Sequence, residues 1–149
     1  VAEIWGADRV GLRLSPITHS VGDTPFDSDP QGTYGFLAEK LGGLGLAYLH
    51  CVEGQTRGDN GKLAFDFQAL RRAFGGQYIA NNGYTRQLAI ETIAAGEADM
   101  VAFGRPFIGN PDLVERLRRE APLVDAPQQT YYGGGAKGYV DFPTLEEVA

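Results

Sequence analysis

Short apolar runs alternate with helical patterns along most of this sequence. Each run has the length of a strand, and each is followed by a stretch whose apolar residues recur at helical spacing. The predicted strands span residues 9–14, 46–52, 77–80 and 99–103. Strands that alternate with helices form a parallel sheet, with helices covering its outer side. The sequence therefore predicts an α/β fold built from four consecutive βα units.

The helix starts are marked by capping residues. The predicted helices span residues 33–41, 66–74, 85–95 and 110–120, and their predicted caps are Thr33, Asp66, Thr85 and Asn110, the last followed by Pro111. Residues 1–6 read as the last turn of a helix that ends at Gly6. We therefore expect the chain to begin inside a larger fold. After residue 120 the pattern gives way to a long irregular stretch rich in Gly, Pro and Tyr, a kind of loop that is usually functional.

Composition narrows the class of protein. The chain has 149 residues, of which 43% are hydrophobic and 21% charged, and its formal net charge is −6. This charge disfavours a nucleic acid or an anionic membrane surface as a partner. No apolar run approaches the roughly 18–20 residues of a membrane span. Its one cysteine, Cys51, allows no internal disulfide, so we expect a cytoplasmic protein.

Arg13 lies inside the first predicted strand, between two leucines. A guanidinium in an apolar strand is costly unless an anion or a strong acceptor meets it. Ligands of parallel α/β folds bind at the carboxyl ends of the strands. Arg13 is close to such an end, so it is a candidate ligand-binding residue, the alternative being an internal pair with a carboxylate.

The third and fourth predicted strands each end in a glycine turn that leads into a helix. These turns are NNGYT, residues 81–85, and FGRPFIGNPD, residues 103–112, which includes Arg105. Backbone N–H groups at a helix start bind anions, and an arginine adds a bidentate charge. Two neighbouring ends of this kind predict a phosphate site, as in (β/α)8 barrels after strands seven and eight.

Five segments of the sequence carry a more specific signal. They are, in order, VGLRLSP, LAYLHCVE, IANNGYT, DMVAFGRPFIGNPDLVERL and TYYGGGAKGYVDFPTLEEV. Together they resemble the carboxyl-terminal half of the Old Yellow Enzyme family of FMN-dependent ene-reductases. The resemblance implies that residues 1–149 supply strands five to eight of one (β/α)8 TIM barrel. The amino-terminal half is then expected as a separate chain or fragment.

The resemblance also implies roles for single residues. Arg13 matches the arginine that lies against the pyrimidine edge of the flavin, where a fixed positive charge favours the reduced anion. Asn82 and Gly83, through backbone N–H groups, and Gly104 with Arg105 match the contacts to the FMN phosphate. Asn82 stands where some members of the family have glycine.

Two tyrosines match an aromatic pair near the flavin. Tyr131 is expected at the edge of the flavin and Tyr132 beside the substrate above the ring. The alternative is that both simply pack within a loop. No metal site is predicted.

In the complete enzyme, the resemblance implies that NADH or NADPH reduces FMN. Hydride would then pass to the β-carbon of an activated alkene such as an enone, enal, nitroalkene or maleimide. The family's substrate-binding His/Asn pair and its proton-donating tyrosine belong to the missing half, so we expect the isolated chain to be inactive. Two alternatives stay open: a non-catalytic phosphate-binding half barrel, and a flavin-free phosphate-dependent (β/α)8 enzyme.

Four parallel strands of half a barrel would leave two open edges and one uncovered apolar face. The sequence suggests that this face includes Leu12, Leu14, Ala47, Leu49, Val101 and Phe103. We therefore expect the isolated chain to be oligomeric or prone to aggregate. His50 and Cys51 are expected in the core, and the role of Glu53 is left open.

Overall fold

The computed structural model describes residues 1–18, 27–54, 64–132 and 135–148. The four predicted strands are present in one parallel sheet, whose strand order β1-β2-β3-β4 follows the chain. Their bounds are Gly11–Leu14 for β1, Tyr48–Val52 for β2, Tyr78–Asn81 for β3 and Met100–Ala102 for β4. The fold class predicted from the alternation, a parallel α/β sheet, is confirmed. His19, which the sequence places in a polar loop, lies outside the described residues.

Seven α-helices occur in the described part of the chain. They are α1 Ala2–Trp5, α2 Pro30–Gly42, α3 Phe67–Phe74, α4 Arg86–Ala94, α5 Arg105–Gly109, α6 Leu113–Arg119 and α7 Leu145–Val148. The helical turn at the start of the chain ends at Gly6, as predicted. Asp66 and Thr85 cap α3 and α4 by accepting backbone N–H bonds from Ala69 and Leu88.

Two helix starts differ from the prediction. The cap of α2 is Asp29, which accepts from the N–H of Gly32 at 2.9 Å, and not Thr33. This helix begins one turn before its apolar periodicity does, with Pro30 in its first turn. The predicted helix 110–120 is observed as α6, which begins after Asp112 and not after Asn110, and Asn110 instead ends the separate helix α5.

One face of the sheet forms the core with α2 and α3. Its buried residues are Ala38, Leu49, Cys51, Leu70, Phe74, Tyr78, Ala80 and Ala98. Leu12, Leu14 and Val101 pack against this cluster. The prediction that Leu12, Leu14, Leu49 and Val101 belong to the uncovered face is therefore wrong. Both faces of these strands carry apolar residues, so the sequence alone does not reveal which set faces the helices.

The opposite face of the sheet carries a mixed set of side chains. By the strand register, Arg13 lies beside His50, His50 lies beside Ile79, and Asn81 lies beside Ala102. Tyr48 and Met100 on this face are 37% and 43% exposed.

The chain divides into two compact units, Val1–Ala102 and Phe103–Ala149. In the second unit, the fully buried Asn110 side chain donates to the carbonyls of Pro106 and Val124 and accepts from the N–H of Val124. Arg116, 3% exposed, pairs with Asp112 and donates to the carbonyls of Pro122 and Pro143. These two buried polar side chains hold the irregular carboxyl-terminal stretch against α5 and α6.

The described segments include no helix that combines the length and the apolar character needed to cross a membrane.

Candidate functional site

Arg13 projects from β1 on the face of the sheet opposite the core cluster. It is exposed, and its Nη2 donates to Oδ1 of Asn81 at 3.2 Å. The Asn81 amide in turn donates to the carbonyl of Ala102 at 2.7 Å. Within the described residues, no carboxylate forms an ion pair with Arg13. The guanidinium is therefore held by a neutral amide, which leaves its positive charge available to an anionic ligand.

The loop after β3 has an unusual backbone. Asn82 has a φ of 104°, a conformation that non-glycine residues rarely adopt, and Gly83 follows with a φ of 73°. A Cβ added at Gly83 would meet nothing within 4 Å, so the backbone there borders open space. The turn ends at Thr85, the cap of α4. Consecutive N–H groups in such a turn form a concave surface that suits an anion.

Glu53, which directly follows β2, anchors this loop. Its carboxylate accepts hydrogen bonds from the hydroxyls of Tyr78 and Tyr84, at 2.7 and 2.6 Å. Its backbone carbonyl accepts from the side-chain amide of Asn82 at 2.7 Å. Burial, followed by interactions with Glu53, raises the pKa of the Tyr84 hydroxyl. Both phenols therefore remain protonated donors to Glu53 at neutral pH.

His50 and Cys51 are neighbours on β2 that face opposite ways: Cys51 is buried, whereas His50 is partly buried and lies outside the core cluster, contrary to the prediction. His50 Nε2 is buried and has no hydrogen-bond partner among the described residues. Burial, followed by the nearby positive charge of Arg13, lowers the pKa of His50. Burial raises the pKa of the Cys51 thiol to about 12, so this cysteine is not a thiolate nucleophile. Cys51 belongs to the core, as predicted.

Gly104 and Arg105 belong to the second unit. Gly104 is the N-cap of α5 and Arg105 is its first residue. Both are exposed, and a Cβ added at Gly104 would meet nothing within 4 Å. The second half of the predicted phosphate site therefore has an open backbone and a solvent-facing arginine.

Tyr131 and Tyr132 lie just after a 3₁₀ turn, Gln128–Thr130. Their ring centroids are 6.5 Å apart and the rings are inclined at 77° in an edge-to-face arrangement. Tyr132 is 83% exposed, whereas Tyr131 is partly buried. The two tyrosines thus differ in exposure, with the second facing solvent, and their roles beside flavin and substrate stay predictions.

Sequence reasoning did not identify Asn81 or the contacts of Glu53. Asn81 is visible in the sequence as a polar residue at a strand end, where ligands bind in parallel sheets. Its partner Arg13 is 68 residues away along the chain, and the partners of Glu53 are 25 and 31 residues away. Such pairings depend on the register between strands, which the sequence does not display.

In the first unit, the charge of Arg13 and the open backbone at Gly83 suit an anionic ligand. In the second unit, the backbone at Gly104 is open and Arg105 is exposed. The residues that the structure describes include no group of three His, Cys, Asp or Glu side chains that could hold a metal ion.

Comparison with known proteins gives consistent matches. The model of the NADH:flavin oxidoreductase / NADH oxidase family matches residues 1–123. The chain is 36% identical over 152 residues to 12-oxophytodienoate reductase 2 of Arabidopsis thaliana. The matched region covers 100% of this chain and 40% of that protein.

Solved structures give the same result. The old yellow enzyme of Trypanosoma cruzi has a TM-score of 0.88 and 39% identity, covering 97% of this chain and 37% of that chain. Morphinone reductase has a TM-score of 0.85 and 38% identity, covering 99% of this chain and 39% of that chain. This chain thus spans about two fifths of the length of these relatives. Because the family model covers most of the sequence and the fold agrees with solved members, the chain belongs to the NADH:flavin oxidoreductase / NADH oxidase family.

Proposed function

We propose that this chain forms the carboxyl-terminal half of an FMN-dependent ene-reductase of (β/α)8 architecture. The observation that carries the proposal is Arg13, an exposed arginine with no carboxylate partner among the described residues, near the end of β1 in a chain of the flavin oxidoreductase family. Four strands in chain order correspond to four of eight barrel strands. An amino-terminal half is the partner that would close the barrel.

In this proposal the chain's residues bind and orient the cofactor. Arg13 holds the pyrimidine edge of the flavin and stabilises negative charge there, while Asn81 fixes the guanidinium. Asn82, Gly83, Gly104 and Arg105 bind the phosphate, the first two through backbone N–H groups.

The two tyrosines act above and beside the ring. Tyr131 packs at the edge of the flavin, and Tyr132 contacts the substrate. FMN, when bound, supplies the hydride chemistry by taking hydride from NADH or NADPH and delivering it to an activated C=C bond. Relatives named as 12-oxophytodienoate and morphinone reductases support an activated alkene as the substrate class. One solved morphinone reductase holds tetrahydroNAD, which supports a nicotinamide donor.

The test is complementation. The chain is prepared alone and together with the amino-terminal half of a family member, and each sample is assayed for bound flavin absorbance and NAD(P)H-dependent reduction of an enone. We expect the paired sample to be yellow and active, and the lone chain to be oligomeric, with weak FMN binding and no enone reduction. A monomeric lone chain that reduces the enone would contradict the half-barrel proposal. A paired sample that stays colourless would contradict the flavin function.

A further inference from the structure

The loop that follows β3 is tied to the end of β2 by one residue. Glu53 accepts two hydrogen bonds from that loop, from the hydroxyl of Tyr84 and the side-chain amide of Asn82, and a third from the hydroxyl of Tyr78 at the start of β3. Two of these donors, Asn82 and Tyr84, flank Gly83, which is the turn residue with open space at its Cβ position. The glycine is therefore held on both sides by the same acceptor residue.

The backbone of this loop needs such support. Asn82 has a φ of 104°, and strained backbone of this kind persists only where surrounding contacts enforce it. The hydrogen bond from its side chain to the Glu53 carbonyl, at 2.7 Å, is one contact that supports this conformation.

The charge of Glu53 is compatible with an anion bound nearby. A carboxylate beside a phosphate would repel it, but here both carboxylate oxygens accept phenolic hydrogen bonds at 2.7 and 2.6 Å. Charge-assisted bonds of this kind are the stronger class of hydrogen bond and spread the negative charge over the phenols. Glu53 therefore acts on the loop through its hydrogen bonds.

We propose that Glu53 is a positioning residue for the cofactor phosphate: through Tyr84 and Asn82 it fixes the backbone around Gly83 in the conformation that binds the phosphate. This inference rests on the proposed function, in which the same loop contacts FMN. It gives a role to the Glu53 carboxylate, whose function the sequence left open. It also assigns Tyr84 to anchoring the loop and not to contacting the substrate.

The test compares two tyrosines that contact the same carboxylate. Tyr84→Phe removes the link between Glu53 and the loop, whereas the matched control Tyr78→Phe removes a link between Glu53 and strand β3. In the complex with an amino-terminal half, dissociation constants are measured for FMN and for riboflavin, which lacks the phosphate. We expect Tyr84→Phe to weaken FMN about tenfold and riboflavin less than twofold, because a loop that holds its binding conformation only about a tenth of the time lowers the apparent affinity by that factor. Tyr78→Phe should lower Tm and leave the ratio of the two constants unchanged.

Variants at Glu53 provide a conservative rescue. Glu53→Gln keeps one accepting oxygen, so it should retain more of the preference for FMN over riboflavin than Glu53→Ala does. Equal loss of FMN and riboflavin in all Glu53 and Tyr84 variants would mean a purely structural role and would overturn the proposal.

A second measurement separates this inference from the proposed function. Amide hydrogen exchange at Gly83 and Tyr84, in the chain without cofactor, should be at least several-fold faster in Tyr84→Phe than in Tyr78→Phe. If Arg105→Ala removes the preference for FMN while Tyr84→Phe does not, the phosphate site stands and the role of Glu53 is refuted. If the wild-type complex binds no FMN, the proposed function fails, and unchanged exchange at Gly83 would refute the loop anchor as well.

Discussion

The guanidinium of Arg13 and the side-chain amide of Asn81 are hydrogen-bonded at 3.2 Å across the face of the sheet opposite the core cluster. Strand β2 separates their two strands, and the strand register places Arg13 beside His50. The guanidinium therefore reaches across the neighbouring strand to its acceptor. This explains why the charge of Arg13 contributes to the lowered pKa of His50.

Replacing Arg13 by Met should spare the fold and weaken the cofactor site. The lost hydrogen bond is exposed and has a neutral acceptor, so the free energy of unfolding should fall by no more than about 1 kcal/mol. FMN retention and the rate of flavin reduction should both fall in the complex with an amino-terminal half. Arg13→Lys is the control, because it keeps the charge and loses the planar fork. If Arg13→Met unfolds, and neither this variant nor the unsubstituted protein contains FMN, Arg13 has a structural role instead.

Stability should depend on His50 as the pH falls below neutral. Because folding lowers the pKa of His50, the unfolded chain binds a proton more readily than the folded chain. The stabilisation is therefore present above the unfolded pKa of about 6.5 and is lost as the pH falls through that value toward the folded pKa. Urea unfolding across this range should show the loss, and His50→Gln should reduce it. An NMR titration that gives His50 a pKa above 6.5 would contradict this account.

Arg105→Ala should weaken FMN more than riboflavin. A charge-assisted hydrogen bond to phosphate contributes about 1.5–3 kcal/mol, which corresponds to roughly a ten- to hundredfold change in affinity. Arg118→Ala is the matched control, since this exposed arginine of the same unit pairs with Glu115. Equal losses for both ligands would remove Arg105 from the phosphate site.

Tyr132→Phe should change the kinetics of alkene reduction and leave the reduction of the flavin unchanged. The side chain is 83% exposed, so removal of its hydroxyl leaves the fold unchanged. In the complemented enzyme we expect a changed KM or kcat for enones and a nearly constant rate of flavin reduction by NAD(P)H, measured by stopped-flow absorbance. A large fall in FMN content would show that this tyrosine contacts the cofactor instead.

Arg116→Leu should strongly destabilise the second unit. The guanidinium is almost fully buried, and its loss leaves two carbonyl groups, those of Pro122 and Pro143, without their donor. Hydrogen bonds from a charged donor contribute about 1.5–3 kcal/mol each, so the free energy of unfolding should fall by at least about 2 kcal/mol. The surface residue Arg118 on the same helix is the control, and Arg118→Leu should change stability by less than about 1 kcal/mol. Similar effects of both variants would argue against the buried network.

Much of the fold was predictable because it depends on local signals. Strand length, helical spacing and caps such as Asp66 and Thr85 are short-range features, and they located the sheet and two helix starts. The start of α6 was not predictable. Asn110 ends α5 instead of capping α6, and its side chain satisfies backbone groups of Val124, a partner that only the tertiary structure brings near.

The candidate site was also only partly predictable from the sequence. Arg13 was noticed because a charge inside an apolar strand is unusual, and Gly83 because a glycine follows a strand end. The three hydrogen bonds to Glu53 were not predictable, since they join two strand ends whose relative positions follow from the register. The face assignment failed for a related reason: an error of one residue in phase exchanges the two faces of a strand.

The strand order also sets a direction for folding. Gly11 pairs with Tyr48, Leu49 with Tyr78 and Ile79 with Met100, so the chain segment between paired strands becomes shorter at each step. Shorter segments lose less entropy on closure, and contacts close in sequence form faster. The pairing of β3 with β4 is thus the least costly first event, and β2 and β1 can add to it in turn. Conservative core variants in β3 should therefore slow folding more than those in β1.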